Sequence, residues 1–205
     1  MNPQKYFITG IGTNVGKTIA SAIVTEALQA HYWKPVQAGD LHQTDTHTVK
    51  ALISNTKTVF YPEAYRLNTP ASPHAAAKID GIEIKLSDFK LPPSPNNLVI
   101  EGAGGLMVPL NNTNLVIDLI AQLNVEVILV SQNYLGSINH TLLSIELLKS
   151  RNIPVKGIIF NGEPVPETEN FILNHSGLPC ILRIGLEKEI TKKTVLKYAK
   201  QILYI

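Results

Sequence analysis

Between the apolar run Tyr6-Phe7-Ile8 and the helix-forming run Ile19–Leu28 stands Gly10-Ile11-Gly12-Thr13-Asn14-Val15-Gly16-Lys17-Thr18. A strand, a glycine-rich turn ending Gly-Lys-Thr and a helix make a cradle for phosphate. The first N–H groups of a helix lack intrahelical partners, the helix dipole adds positive potential, and glycine lets the backbone approach an anion closely. In such a cradle Lys17 reaches the β/γ-phosphates and the Thr18 hydroxyl ligates Mg²⁺. Gly12, Thr13, Asn14, Val15, Gly16, Lys17, Thr18 and Ile19 are therefore candidate nucleotide contacts. One spacing is irregular. The usual pattern has a glycine where Ile11 stands, and here glycines flank that position instead, so the loop is one residue longer or turned differently.

A Mg·nucleotide site also needs carboxylates near the cradle. Glu101 follows the continuous apolar run Leu98-Val99-Ile100 and precedes Gly102-Ala103-Gly104-Gly105. An acid at the carboxyl end of a central strand lies where open α/β sheets place ligands, and the glycines after it would admit a second anion to backbone N–H groups. A metal role is favoured there over a surface acid before a turn. Asp45, in Gln43-Thr44-Asp45-Thr46-His47, divides evenly between a carboxylate of the site and a helix start in which Thr44 or Asp45 is only a cap. Lys34, in Trp33-Lys34-Pro35-Val36, suits charge stabilisation on a transferring phosphoryl group, but a solvated loop lysine is the simpler reading from these residues alone. Asn133–His140 opens a helix after another apolar run, a helix N-terminus suited to a carboxylate, where Asn139 and His140 contact a ligand or bond locally. His140 has no carboxylate or cysteine at triad spacing, and His42, His47 and His74 lack zinc-ligand spacing.

The elements that must position these residues alternate. Strands are expected at Tyr6–Ile8, as a short one ending near Lys34–Val36, and at Asn97–Ile100, Val125–Val130, Val155–Phe160 and Cys180–Ile184. Helices are expected at Thr18–Ala30, Thr44–Ile53, Ala71–Ile79, Val116–Leu123, Ile138–Ser150, Thr168–Asn174 and Lys192–Ile202. Continuously apolar strands imply cover on both faces. The pattern predicts an open, doubly wound α/β fold, a mostly parallel sheet with helices on both faces, as in P-loop NTPases. Prolines interrupt regular structure over Pro62–Pro73 and make Leu91–Asn97 a connector.

At 205 residues, with 44% hydrophobic and 17% charged, the chain fits a single domain over 1–205 with a well-buried core. Eighteen basic against sixteen acidic side chains, with no dense basic run, leave no electrostatic footprint for nucleic acid. The lone Cys180 excludes an internal disulfide framework and reads as a buried small hydrophobe. No early segment reads as a signal peptide and no apolar run is long enough to span a bilayer, so the expectation is a cytoplasmic protein without membrane contact.

In order along the chain, Gly10–Thr18, Lys34-Pro35-Val36, Thr69-Pro70-Ala71-Ser72-Pro73-His74, Glu101-Gly102-Ala103-Gly104-Gly105 and Gly136-Ser137-Ile138-Asn139-His140 resemble the dethiobiotin synthetase family, whose phosphate loop has the same longer spacing. The resemblance covers nearly the whole chain up to about Gly162. It implies ATP- and Mg²⁺-dependent carboxylation of 7,8-diaminononanoate with CO₂ to dethiobiotin, ADP and phosphate, a step of biotin biosynthesis. Its course would run through a carbamate and a carbamic–phosphoric anhydride. It further implies a homodimer with the substrate site at the interface.

By that resemblance Lys34 is catalytic, with Lys17 and Thr13 beside it, and Thr18, Asp45 and Glu101 hold Mg²⁺. Glu101, Gly102, Ala103 and Gly104 border the nucleotide, and Asn161 and Gly162 meet the adenine. Ala38, Pro70, Ser72 and Pro73 border the diamine, while Leu135, Gly136, Ser137, Ile138 and Asn139 bind its distal carboxylate. The chain departs from the family at Ala38, where a hydroxyl residue is common, at Asn14, where some members have an acid, and at Ile184-Gly185-Leu186, where Ile-Pro is expected. The short interval from Ala30 to Lys34 implies a stunted second strand. Two other readings stand behind this one. A cobyrinate-type amidoligase would need a glutaminase domain and a nucleophilic Cys, and a Min/Par nucleotide switch would carry a second lysine near Ile11.

Overall fold

The computed structural model describes residues 3–203 and 205. The elements run β1 (Lys5–Gly10), α1 (Lys17–Leu28), β2 (His31–Trp33), β3 (Val36–Ala38), α2 (Asp45–Leu52), β4 (Phe60–Tyr61), β5 (Tyr65–Leu67) and α3 (Pro73–Asp80). They continue as β6 (Leu98–Gly105), α4 (Val116–Leu123), β7 (Glu126–Gln132), α5 (Ser137–Ser150), β8 (Val155–Asn161), α6 (Pro166–Ser176), β9 (Cys180–Ile184) and α7 (Lys192–Ala199). Seven strands form a parallel sheet in the order β4-β2-β6-β1-β7-β8-β9. Strands β3 and β5 pair separately as a small parallel sheet.

Successive side chains of a strand point to opposite faces, so a strand apolar throughout must be covered twice. Phe7, Leu98, Ile100 and Val127 pack with Ile117 and Ile120 of α4 and Leu148 of α5. Their neighbours Tyr6, Ile8, Val99 and Ile128 turn the other way, against Ile23 and Val24 of α1 and Val195 of α7. Ile145 of α5 and Ile172 of α6 cover Leu129, Ile158 and Phe160. The doubly wound, mostly parallel architecture is the one expected.

The differences lie at ends and in the proline-rich stretch. Strand β6 continues through Gly105, so Glu101 and the glycines after it are strand residues rather than a turn. They belong there for close approach. A Cβ at Gly102 would stand 2.7 Å from the Phe7 ring, and Gly105 pairs with Gly10 beside the phosphate loop. Helix α1 stops at Leu28 because Gln29 turns left-handed with φ 47°, and α3 begins only at Pro73, since proline is accommodated in the first turn. Helix α7 ends at Ala199, and β2 is three residues long, as its short interval implied. Strands β4 and β5 were not expected. They are too short to establish a period-two signal. Cys180 is half-buried rather than buried, and burial raises its thiol pKa.

Candidate active site

The carboxyl ends of β1, β2 and β6 meet below the phosphate loop. Gly16, with φ 95°, takes the N-cap position of α1, and no side chain caps that end, so its N–H groups stay available to an anion. Asn14 also has a positive φ, 60°, which asparagine tolerates better than most residues. Ile11 N–H donates to Val130 O at 3.1 Å, tying the loop to β7. The Lys17 ammonium donates to Gly12 O at 2.9 Å. Burial first, and the nearby Lys34 charge second, push its pKa down to about 8.

Lys34 follows β2 immediately, where the register that pairs Trp33 with Ile100 sets it beside Glu101. Its ammonium lies 2.6 Å from Asp45 Oδ2, 3.2 Å from Glu101 Oε1 and 3.0 Å from Gly102 O. Only 3% of Lys34 and 1% of Glu101 is exposed, which removes both the solvated-lysine and the surface-acid readings. Burial pulls the Lys34 pKa down, but the Glu101 and Asp45 charges more than offset it and hold the ammonium above its ordinary value. Burial pushes Asp45 up, and Lys34 brings its carboxyl below the usual range. The even choice at residues 44 and 45 is resolved as well. Thr44 caps α2 by accepting from His47 N–H, and the Asp45 carboxylate is left to the site.

The Thr18 hydroxyl lies 3.0 Å from Asp45 Oδ1 and 2.8 Å from Glu101 Oε1. One hydroxyl hydrogen cannot fill both contacts. Three hard oxygens therefore converge with fewer protons than close contacts, an arrangement that a divalent cation would relieve. Two carboxylates and a hydroxyl, completed by phosphate oxygens, suit Mg²⁺, which rarely takes an all-protein cage. Among the described residues no group of three or more His, Cys, Asp or Glu could hold a metal.

A cavity of about 640 Å³ opens over this cluster. Thr13, Asn14, Gly16, Lys17, Thr18, Ile19, Lys34, Ala38, Asp45, Glu101, Ala103 and Gly104 border it, and Pro70, Ser72 and Pro73 close the far side. The small sheet brings those two sides together: Ala38 pairs with Leu67, and Gly39 N–H donates to Leu67 O at 2.9 Å. A side chain at Gly39 would strike Pro70, at 2.5 Å from its Cβ. Gln37 and Asp40 also border the cavity, and Gln37 Oε1 accepts from Asp45 N–H at 3.2 Å, steadying the start of α2. Neither was expected from sequence. A Gln-x-Gly-Asp run carries no signal beyond a turn.

Other expected residues stand behind or apart. Gly12, Val15 and Gly102 take part through backbone carbonyls. Asn161 sits against Gly16 at the end of β8 and donates its amide to Val15 O at 3.0 Å; the following Gly162 donates to Ile184 O at 2.9 Å. Leu135, Gly136, Ser137, Ile138 and Asn139 do not border the cavity within one chain. Leu135 is fully exposed, Ser137 is buried, and the α5 N-terminus has no side-chain cap. His140 bonds locally, 2.6 Å from the Tyr134 hydroxyl. A second hollow of about 400 Å³ between Thr13, Leu106, Met107, His140 and Leu143 shares Thr13 with the first.

The Asn161 bond to the loop predicts a joint loss. Asn161→Ala should weaken binding of both ADP and tripolyphosphate up to about tenfold, since it removes one neutral hydrogen bond from the loop. Calorimetric titration checks this. Loss confined to ADP would assign the amide to the base and not to the loop.

The AAA domain family matches residues 4–194. The ATP-dependent dethiobiotin synthetase of Christiangramia forsetii is 56% identical over 97% of this chain and 96% of its own. That of Cytophaga hutchinsonii is 54% identical over 97% of both. The chain belongs to the ATP-dependent dethiobiotin synthetase family. Among solved structures, the septum site-determining protein MinD of Pyrococcus horikoshii, complexed with Mg-ADP, superposes with TM-score 0.58 at 15% identity, covering 98% of this chain and 89% of its own. A ParA family ATPase from Chlorobium tepidum gives 0.57 at 14%, covering 97% and 98%. At that identity the likeness shows the P-loop fold alone. The dethiobiotin synthetase relatives at 54–56% therefore outweigh the Min/Par reading of function. Among the described residues no helix is long and apolar enough to cross a membrane.

Proposed function

We propose that this protein converts 7,8-diaminononanoate, CO₂ and ATP to dethiobiotin, ADP and phosphate, as one P-loop α/β domain in a cytoplasmic homodimer. The observation that carries the reading is the buried Lys34 ammonium between Asp45 and Glu101, beside the phosphate loop and open to the cavity bounded by Ala38 and Pro70–Pro73. One substrate amine adds to CO₂, losing a proton, and gives a carbamate. A carbamate oxygen attacks the γ-phosphorus and ADP leaves, forming the carbamic–phosphoric anhydride. The second amine attacks the carbamoyl carbon, phosphate leaves, the new C–N nitrogen gives up a proton to the released phosphate or solvent, and the cyclic urea closes.

The chain must hold two anions in line, so fixed positive charge and positioning matter more than a covalent nucleophile. Lys17 and the uncapped N-terminus of α1 hold the phosphates. Lys34 neutralises phosphoryl and carbamate oxygens, and Thr13, which borders both hollows, hydrogen-bonds at their junction. Thr18, Asp45 and Glu101 are the residues to hold Mg²⁺, which supplies charge neutralisation at the phosphates. Asn161 and Gly162 border the adenine, Asn161 also bracing the loop through its amide N–H on Val15 O. The start of α5, Leu135–Asn139, binds the distal carboxylate of a substrate that reaches the dimer interface.

Incubation with the diamine, bicarbonate, Mg²⁺ and ATP should yield the cyclic urea with one ADP per product, read by mass spectrometry. ATP hydrolysis indifferent to the diamine, with no urea, would overturn the reading.

A further inference from the structure

Glu101 has a third side-chain partner, which the proposed chemistry does not use. The Tyr32 hydroxyl donates to Glu101 Oε2 at 2.8 Å, while Oε1 faces Thr18 and Lys34. Strand register explains the meeting. Tyr32 of β2 lies opposite Val99 of β6, and Val99 and Glu101, two apart on one strand, share a face. Tyr32 is thus the diagonal neighbour of Glu101, a separation that a tyrosine side chain spans. Its ring packs against Phe60 with centroids 5.7 Å apart, and no part of the residue is exposed.

A carboxylate with both oxygens free can turn about its terminal torsion, which is broad and roughly two-fold. Here that torsion is pinned. With Oε2 held by the phenol, Oε1 is the oxygen left facing the Thr18 and Asp45 oxygens. We propose that Tyr32 is a positioning residue of the cation site, fixing Glu101 so that Oε1 is presented to a divalent metal. The inference rests on Glu101 being a metal ligand. Without the hydroxyl, Oε2 becomes a buried acceptor lacking its partner, and the carboxylate turns away or shares its oxygens with Lys34.

The test is Mn²⁺ binding to the ADP-bound protein, read from the electron paramagnetic resonance signal of free Mn²⁺, with ADP affinity measured separately in EDTA. Tyr32→Phe keeps the ring and should raise the Mn²⁺ dissociation constant about tenfold or more, the usual loss on removing an outer-shell partner of a metal ligand. ADP affinity in EDTA should hold within about twofold, because the phosphate loop itself is untouched. Phe60→Leu, which keeps the hydroxyl and loosens the packing, should lower Tm and leave Mn²⁺ affinity in place. Native-like Mn²⁺ affinity in Tyr32→Phe, or equal loss in Phe60→Leu, would overturn the role of the hydroxyl. Glu101→Gln separates the layers. If it weakens Mn²⁺ binding and Tyr32→Phe does not, only the positioning role fails, and if Glu101→Gln has no effect, the metal-ligand reading falls and takes this inference with it.

Discussion

Lys34→Ala should lower kcat about a hundred- to a thousandfold while ATP affinity changes far less, as expected for a charge that acts on the reacting oxygens rather than on the bound nucleotide. The ammonium already lies beside the phosphate loop, but Asp45, Glu101 and Gly102 O engage its three N–H groups, so a cation that takes over the carboxylates would free it for the phosphoryl and carbamate oxygens. Stability should suffer too. Removing one partner of a buried ion pair costs about 3–5 kcal/mol because the remaining charges lose their counter-ion. The low end applies here, since the Asp45 side chain is 34% exposed and water can reach it. Mg²⁺ should then recover part of the lost Tm by serving the same carboxylates. Single-turnover kinetics, ATP titration and thermal melts with and without Mg²⁺ check the three parts. An unchanged kcat would remove Lys34 from the chemistry.

Lys17→Met should act in the opposite way, raising the ATP dissociation constant about ten- to a hundredfold, the loss of a charge-assisted contact to phosphate. The same lysine sets a pH dependence. With a pKa pushed down to about 8, Lys17 in the free protein is charged below that pH and neutral above it. A bound triphosphate favours the charged form, so above about pH 8 binding must take up a proton. Affinity should therefore fall as pH rises, by up to about tenfold per unit. Calorimetry in buffers of different ionisation enthalpy would show the proton uptake. A native profile flat from neutral pH into the alkaline range, or an unaltered slope in Lys17→Met, would contradict it. The folding linkage has its own sign. The folded pKa lies below the ordinary 10.5, so between these values the unfolded chain binds more protons and this group's contribution to stability rises with pH.

Much of this site is legible in the order of the residues. The phosphate loop is local in sequence, and its glycines, lysine and threonine keep their meaning wherever the strand and helix pack. Strand β9 and helix α4 have the expected bounds, Cys180–Ile184 and Val116–Leu123, because each is a run of clear apolar character with definite ends. Strands β4 and β5 are not legible in that way. Two and three residues respectively cannot establish a period, and they exist because neighbouring backbone offers them partners. Asp45 is ambiguous in sequence for a related reason. Thr44 and Asp45 are both good caps, and the choice depends on what lies across the cavity.

The sequence alone determined that the chain holds a nucleotide phosphate and that its strands must be covered on both faces. It also set Glu101 directly after the apolar run of a central strand, although that strand continues to Gly105. Those conclusions follow from local spacing and periodicity, which the chain carries with it. Tertiary structure decided which residues meet. Thr18 and Glu101 are 83 positions apart, and Lys34 and Glu101 are 67 apart. Their contacts exist because β2, β6 and β1 lie side by side in one register, and a shift by one residue would turn each side chain to the opposite face. Tyr32 shows the same dependence. Its diagonal position across β6 is what turns its hydroxyl onto a carboxylate.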